Sequence, residues 1–246
     1  ANYPVDVKTI GIMGYAGDYG GDYAKGVQAA AEANGLTVAW EYIVPSPEFD
    51  VAQAVGLMVT KPVDAYFPAI GPTHMAQVAG GAFQQGLTPL SMMAAPSFND
   101  AFVREGFALA PLFTSGSMYL MAFVAPYEAE TAGHATMRAT FTAMGIDSAN
   151  TFLVAGWSSQ HHLKGVLEAA NKGGDLTRAG IRRAAGSVYV DSDGMMPQRE
   201  LGQNRADAES FIAVPDGTIA SGVKLLAGNY VGPSAGGYDW ESGPCS

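Results

Sequence analysis

The chain has 246 residues, of which 48% are hydrophobic and 15% are charged, so it is predicted to fold around a sizeable core and not to be disordered. Its net charge of −10, from 13 basic and 23 acidic residues, makes nucleic acid and anionic membrane surfaces poor partners. No apolar run of membrane-spanning length occurs, and a single cysteine, Cys245, excludes an internal disulfide and a cysteine-based zinc site.

A strand, a glycine-rich turn and a helix open the chain. Ile10, Ile12 and Met13 form a short apolar run rich in strand formers, and four glycines between residues 14 and 21 then interrupt it. Small apolar residues recur at helical spacing up to Asn34-Gly35, which is a good helix stop. A second strand at residues 36–44 completes a βαβ unit with parallel strands. Ligands of open parallel sheets bind at the carboxyl ends of the strands, so the turn at residues 15–23 is the first candidate for function.

Strands and helices alternate regularly after this unit, as is typical of an α/β domain with a parallel sheet. Further strands are predicted at residues 65–70, 90–93 and 107–113. Helices are predicted at residues 51–60, 72–85 and 99–104.

The pattern changes near residue 125. Only helices are predicted from there to residue 185, at residues 127–144, 150–172 and 176–185. Short strands return after Gly186, separated by Asp-Gly turns. They are predicted at residues 188–190, 200–203 and 211–214, before a tail from residue 232 that is rich in Gly, Pro and Ser.

Several short segments are weak signals singly, but their order and spacing are specific. The chain resembles the type I periplasmic solute-binding proteins of ABC transporters, of the branched-chain amino acid and amide kind. The segments that carry this resemblance are Lys8-Thr9-Ile10-Gly11-Ile12, Asp18-Tyr19-Gly20, Phe49-Asp50, Lys61-Pro62-Val63-Asp64-Ala65, Gln85-Gly86-Leu87, Ala155-Gly156-Trp157, Gly174-Asp175-Leu176-Thr177 and Asp193-Gly194.

The resemblance implies a Rossmann-like α/β lobe with a parallel sheet, together with helices that belong to another lobe. Family members have two lobes joined by hinge strands, and this chain begins where their second lobe begins. Residues 1–125 would then form the second lobe, residues 126–185 the helices that return to the first lobe, and residues 186–246 hinge-crossing strands and a C-terminal tail. On this interpretation the chain is a fragment, a proteolysed product, a deliberately shortened chain or a short natural variant.

A chain without the first lobe would leave part of its helical surface uncovered. The helix predicted at residues 150–172 carries five apolar residues that would lie open if no sheet packed on them. An exposed apolar patch of this kind favours dimerisation or aggregation. The five residues are Phe152, Val154, Leu163, Val166 and Leu167.

Tyr19 is the leading candidate for ligand contact. In similar proteins, an aromatic residue in this Asp-Tyr-Gly position stacks on the ligand or hydrogen-bonds it from the second lobe. A tyrosine suits that role, because it offers a flat apolar face and a donor. The alternative is a loop tyrosine that packs on the neighbouring helix. Tyr15, Ala16 and Asp18 share this edge and are further candidates.

The ends of the third and fourth predicted strands supply the remaining candidates. Ile70 and Gly71 follow the third strand, where the family brings backbone or side-chain groups to the ligand. The alternative for Gly71 is a glycine that serves only the turn. Met93 and Ala94 end the fourth strand, where amino-acid binders of the family often carry a carboxylate for the ligand ammonium. Methionine there favours a less polar or neutral ligand, such as an aromatic acid or an amide. Core filling is the alternative for Met92 and Met93.

No catalytic, cofactor or metal signature emerges. The glycine spacing at residues 14–20 is not the dinucleotide fingerprint, and neither a phosphate-binding loop nor a nucleophile elbow occurs. His161 and His162 are adjacent, and since neighbours on a helix point about 100° apart, they cannot both face one metal ion. His74 and His134 are isolated in the sequence. The expectation is therefore a protein without enzymatic activity, cofactor or metal.

Three functions remain open. The first is the extracytoplasmic solute-binding component of an ABC transporter, which closes on an amino acid, amide or aromatic acid and engages a membrane permease. Such a protein would be periplasmic or extracellular, or anchored as a lipoprotein; the first residues lack signal-peptide features, so the chain is either cytosolic, processed or truncated. The alternative is a ligand-sensing regulator of the same fold. A cytosolic α/β enzyme is the third.

Overall fold

A seven-stranded sheet organises the protein, which was studied as a computed structural model that describes residues 6–147, 149–196, 199–200 and 209–233. The order of strands in this sheet is 2-1-3-4-5-8-9, numbered along the chain. The first five strands pair in parallel, and the last two are added in antiparallel fashion. Strands 6 and 7 form a separate antiparallel pair. The strands are β1 (Thr9–Tyr15), β2 (Thr37–Val44), β3 (Ala65–Ala69), β4 (Leu90–Ala94), β5 (Met118–Ala122), β6 (Tyr189–Val190), β7 (Arg199–Glu200), β8 (Glu209–Pro215) and β9 (Val223–Val231).

Within the described ranges, seven α-helices connect and cover the strands. Four of them begin at a residue whose side chain accepts a hydrogen bond from the first turn, which satisfies backbone donors that have no partner inside the helix. These caps are Asp50, Thr131, Asn150 and Thr177. The helices are α1 (Asp18–Ala33), α2 (Val51–Thr60), α3 (Pro72–Gln84), α4 (Ala110–Phe113), α5 (Ala132–Ala143), α6 (Thr151–Lys172) and α7 (Arg178–Ala185).

Helices pack on both faces of the parallel strands. On one face, Ile10 and Ile12 of β1 pack against Val27 and other small residues of α1. On the other face, Met13 of β1 joins a larger cluster with residues of α2 and α3, such as Met75. Strands that are buried on both faces have mostly apolar residues, so β1 and β3 show little alternation of polar and apolar residues. The predicted α/β fold class with a mainly parallel sheet is therefore confirmed.

A second packed group lies beyond β5. Met137 and Phe141 of α5 contact Val154 of α6, and Met195 lies fully buried among them. The chain that leaves β5 is tied to this group, because the backbone nitrogen of Ala125 donates to the carbonyl of Met195 at 3.0 Å. Among the described residues, no helix is long and apolar enough to cross a bilayer.

The apolar surface of α6 differs in part from the prediction. Phe152, Leu163 and Leu167 are exposed, as expected of a face without a covering sheet. Val154 and Val166 are buried, because they lie on the side of the helix that packs against α5 and α7. For these two valines the predicted exposure is wrong.

One predicted strand is wrong. Residues 107–113 do not form a strand; Ala110–Phe113 is the short helix α4, and the fifth parallel strand is Met118–Ala122. Pro111 stands in the first turn of α4, where a missing N–H costs nothing, whereas a central strand would need that donor.

The C-terminal part of the sheet was only partly predicted. The strand predicted at residues 211–214 lies within β8, and β9 was not predicted. Both extend the sheet that residues 9–122 build. Of the strand predicted at residues 200–203, only residue 200 falls within the described part, in β7, and the tail from residue 234 onwards lies outside it. The division of the chain at residues 125 and 185 stays a prediction.

Candidate functional site

The carboxyl ends of β1, β3 and β4 lie side by side at one edge of the sheet. Gly14 of β1 pairs with Ala69 of β3, and β4 is the next strand along. The segments that follow these strands therefore meet at one rim.

Three glycines set the turn after β1. Gly17 has φ +104°, a conformation that L side chains rarely adopt, and it stands directly before α1. A Cβ on Gly20 would lie 2.1 Å from the carbonyl oxygen of Tyr15, and one on Gly14 would lie 3.2 Å from the Cα of Gly20. The first turn of α1 thus packs backbone against backbone on the end of β1. This close approach places Tyr19 at the rim.

Tyr19 is 39% exposed, and its hydroxyl lies 3.5 Å from Oγ of the buried Ser97. Ser97 Oγ donates to the carbonyl of Pro68 at 3.2 Å and accepts from the nitrogen of Ile70 at 3.2 Å. Because the Ser97 hydrogen is used for Pro68, Tyr19 is the donor in the long contact between the two hydroxyls. Burial raises the pKa of Tyr19, so its hydroxyl stays protonated at neutral pH.

Tyr15, Phe49 and His74 form an aromatic cluster at the same rim. The Tyr15 hydroxyl lies 2.6 Å from Nδ1 of His74. The Phe49 ring stacks on the imidazole, with centroids 4.9 Å apart and planes at 22°, and meets Tyr15 edge-on at 5.7 Å. These three side chains come from β1, the segment before α2 and the first turn of α3. They are brought together by the strand order 2-1-3.

The absence of a side chain at Gly71 lets the Tyr15 hydroxyl approach the backbone there. The glycine precedes α3 with φ −71°, which any residue can adopt. A Cβ at this position would lie 3.1 Å from the Tyr15 oxygen, closer than most such contacts. The glycine is therefore explained by the approach of a side chain to the backbone.

The predicted site residues differ in how they can reach a ligand. Ala16 and Asp18 are exposed at the turn, and Tyr15 is half-buried. Ile70 and Met93 are fully buried, backbone included, and belong to the main core. Ala94 is also buried, at 6% exposure, and packs where β4 ends. Their part in binding stays a prediction.

Sequence reasoning missed Phe49, His74 and Ser97 as members of the rim. Phe49 was noted for its resemblance to the family, and His74 was judged isolated. The signal that could have found His74 is its position in the first turn of the helix after β3, on the edge that the strand-end rule selects.

The rim has no hydrogen bond to Lys or Arg in the part of the chain that the structure describes. Among the described residues, no Lys or Arg side chain is hydrogen-bonded to Tyr15, Tyr19, His74 or Ser97. The first carboxylate after β4 is Asp100, and it is paired with Arg104 at 3.3 Å. No group of three metal-binding side chains occurs within the described ranges. The rim thus offers aromatic faces, hydroxyls and an imidazole, with the exposed carboxylate of Asp18 at the turn after β1.

A protein-family model described as "periplasmic binding protein" matches residues 4–218, which is most of the chain. The chain belongs to this family. Periplasmic binding proteins are solute-binding proteins and not enzymes, which agrees with the non-catalytic character predicted from the sequence. A search of curated proteins gave no match.

Solved structures of solute-binding proteins share the fold. A fatty acid ABC transporter substrate-binding protein from Thermomonospora curvata superposes with a TM-score of 0.83 at 23% identity, covering 94% of this chain and 59% of its own. An ABC transporter substrate-binding protein from Aeropyrum pernix gives 0.69 at 15% identity, covering 92% and 62%. A branched-chain amino acid ABC transporter protein from Thermus thermophilus with bound valine gives 0.66 at 11% identity, covering 93% and 62%.

The chain therefore spans about three fifths of the length of these structures. At these identities the likeness establishes the fold. The comparisons give no support to the dimerisation predicted from the sequence.

Proposed function

We propose that this chain forms one half of the ligand cleft of an extracytoplasmic solute-binding protein, which carries a small organic compound to the permease of an ABC transporter. The observation that carries the proposal is the rim at the carboxyl ends of the parallel strands, where Tyr19 and the cluster of Tyr15, Phe49 and His74 converge. Residues 1–125, with β8 and β9, would supply this half. The helices of residues 126–185 would pack on the opposing lobe.

The chemistry of the rim favours the apolar body of the ligand. Aromatic faces with neutral donors suit a compound that is largely uncharged where it meets this lobe. At the end of β4 an ammonium group would need a carboxylate, and the first one there, Asp100, is already paired with Arg104; the exposed carboxylate of the rim, Asp18, lies after β1. The related structures are described as binding a fatty acid and valine, and both ligands join a carboxylate to an apolar body. We therefore favour an organic acid or an amide over an α-amino acid.

A thermal-shift screen on the complete gene product tests the ligand class. The screen would compare α-amino acids, amides, aromatic acids and fatty acids. A compound present at a hundredfold excess over its dissociation constant stabilises the folded state by about 2.7 kcal/mol, so a true ligand raises the melting temperature measurably. A rise with α-amino acids alone would overturn the preference for organic acids and amides. No rise with any class would overturn the proposal of a solute-binding role for these ligands.

Tyr19→Ala is expected to weaken binding of the best compound at least tenfold, or about 1–2 kcal/mol, because the change removes both the aromatic face and the donor. Isothermal titration calorimetry measures the effect. The matched control is Tyr230→Ala, which removes a similarly exposed tyrosine from β9, at the far edge of the sheet. Equal affinity of the Tyr19→Ala variant and the control would remove Tyr19 from the site.

A further inference from the structure

His74 is held in one orientation by two neighbours from other elements. Its Nδ1 lies 2.6 Å from the Tyr15 hydroxyl, and the Phe49 ring stacks on its face at 4.9 Å. The imidazole is half-buried at the rim, and Phe49 is 7% exposed beneath it. A side chain fixed in this way loses little further freedom when a ligand arrives.

The second nitrogen of this imidazole has no partner among the described residues. Tyr15 occupies only Nδ1, and no described group hydrogen-bonds Nε2. If Tyr15 donates to Nδ1, then Nε2 carries the hydrogen and donates. If Nδ1 donates to Tyr15, then Nε2 accepts and the Tyr15 hydrogen is left to donate. In either tautomer the pair offers a directed polar group that a bound ligand must satisfy or leave unpaired.

The partner of this group is expected to be a neutral oxygen. In the described ranges no Lys or Arg side chain is hydrogen-bonded to the cluster, so the negative charge of a carboxylate would be poorly compensated here. A hydroxyl can donate and accept, and so fits both tautomers, whereas a carbonyl fits the one in which Nε2 donates. We propose that His74, oriented by Tyr15, is a specificity-determining residue that binds a hydroxyl or carbonyl oxygen carried on the apolar body of the ligand. The inference rests on the proposed function and narrows its ligand class to oxygen-substituted organic acids or amides.

Matched pairs of probes test this inference on the complete gene product. The pairs are 4-hydroxybenzoate with benzoate, and 12-hydroxydodecanoate with dodecanoate, with affinities measured by calorimetry. In the wild type, the hydroxylated member of at least one pair is expected to bind tenfold or more tightly, because a site built to hydrogen-bond a substituent rejects the analogue that lacks it. His74→Phe keeps a ring to stack on Phe49 but removes both nitrogens. This variant is expected to bind the two members within twofold of each other.

The ratio of the two affinities within a probe pair shows whether His74 recognises the hydroxyl group or only packs in the site. A purely structural loss at His74 would weaken both members equally and leave their ratio unchanged. His74→Gln places an amide near the position of Nε2 and is expected to restore part of the preference. Tyr15→Phe removes the hydrogen bond that orients the imidazole and is expected to reduce the affinity ratio. The control Tyr23→Phe removes a hydroxyl that donates to the Met92 carbonyl at 2.7 Å, and the affinity ratio is expected to stay unchanged.

Three results would count against the inference. Equal binding of both members by the wild type, or a preference that survives in His74→Phe, would overturn the role of His74 and leave the proposed solute-binding function standing. Failure of all four probes to bind a wild-type protein that melts cooperatively would reject the organic-acid class as well, and the inference with it.

Discussion

His134 is a buried histidine whose hydrogen bonds define its tautomer. Its Nε2 lies 3.2 Å from the Ala125 carbonyl, which only accepts, so Nε2 carries the hydrogen. Its Nδ1 lies 2.7 Å from Oγ1 of Thr131, which caps α5 and also accepts from the His134 backbone nitrogen. A neutral imidazole satisfies this arrangement, and a second ring proton would leave the Thr131 hydrogen without its acceptor. His134 thus joins the start of α5 to the chain leaving β5.

The free energy of unfolding is expected to fall as the pH drops below about 6.5. Burial lowers the pKa of His134 below its ordinary value of 6.5, with a smaller contribution from the charge of Arg138; the Ala125 carbonyl, Glu128 and Glu130 oppose the shift. Below 6.5 the unfolded chain binds a proton that the folded chain does not, so acid favours unfolding. The stabilisation is therefore complete above this pH and is lost progressively from there down to the lowered pKa.

Urea unfolding of the wild type and His134→Gln between pH 5 and pH 8 measures this effect. The variant is expected to be less stable at pH 8 but to lose less stability on acidification. His161→Gln, a change on the partly exposed surface of α6, serves as the control and is expected to follow the wild type. Parallel pH profiles for the wild type and His134→Gln would show that another group is responsible.

Among the elements, the contact between α1 and β1 depends most on the missing side chain of Gly20. Gly20→Ala would place a Cβ 2.1 Å from the Tyr15 carbonyl oxygen and must shift the helix or the strand end. The variant is expected to lose about 2–3 kcal/mol of stability, as overpacked sites do. Gly26→Ala in the same helix meets open space and is expected to gain about 0.5–1 kcal/mol through helix propensity. Chemical denaturation of both variants gives the comparison, and equal stabilities would contradict the tight contact.

Elements whose ends are marked by capping or helix-breaking residues can be predicted from the local sequence. The helix α2 was predicted at residues 51–60, the range observed, because Asp50 caps its start and Lys61-Pro62 ends it. The strand predicted at residues 107–113 failed, because its apolar residues pack in an aromatic cluster: Phe107 and Phe113 both contact Phe102. The strand β9 contains Ala-Gly-Asn, which are poor strand formers, and its pairing with β8 comes from tertiary context.

The same distinction holds for the candidate site. The strand-end rule located Tyr15 and Tyr19, since it needs only the βαβ pattern. The rule does not predict that Tyr15 contacts Phe49 and His74, because that contact depends on β1 lying between β2 and β3 in the sheet. Met93 is buried because helices pack on both faces of the sheet. Core filling was the alternative that the sequence left open for this residue.

In the whole molecule, the two packed groups are joined by contacts around the turn between β8 and β9. Glu128, in the chain that leads from β5 to α5, accepts from the nitrogen and from Oγ of Ser221, at 2.9 and 2.5 Å. Arg104 donates to the carbonyls of Ile219 and Ala220 in the same turn. The turn therefore connects the parallel sheet with the segment that leads to the second packed group.

Ser221→Ala is expected to lower the free energy of unfolding by about 1.5–3 kcal/mol, because it removes a part-buried hydrogen bond to a carboxylate. The control Ser210→Ala loses a longer contact of 3.4 Å on β8 and is expected to change stability by less than about 0.5 kcal/mol. Unfolding would be followed by fluorescence in two backgrounds that each keep one tryptophan, Trp40 in β2 or Trp157 in α6, so that each background reports on one packed group. If the two packed groups unfold together in the wild type but at different denaturant concentrations in Ser221→Ala, the turn couples their unfolding. A fully coincident, equally stable variant would place the coupling elsewhere, in the contacts of Ala125 with Met195 and His134.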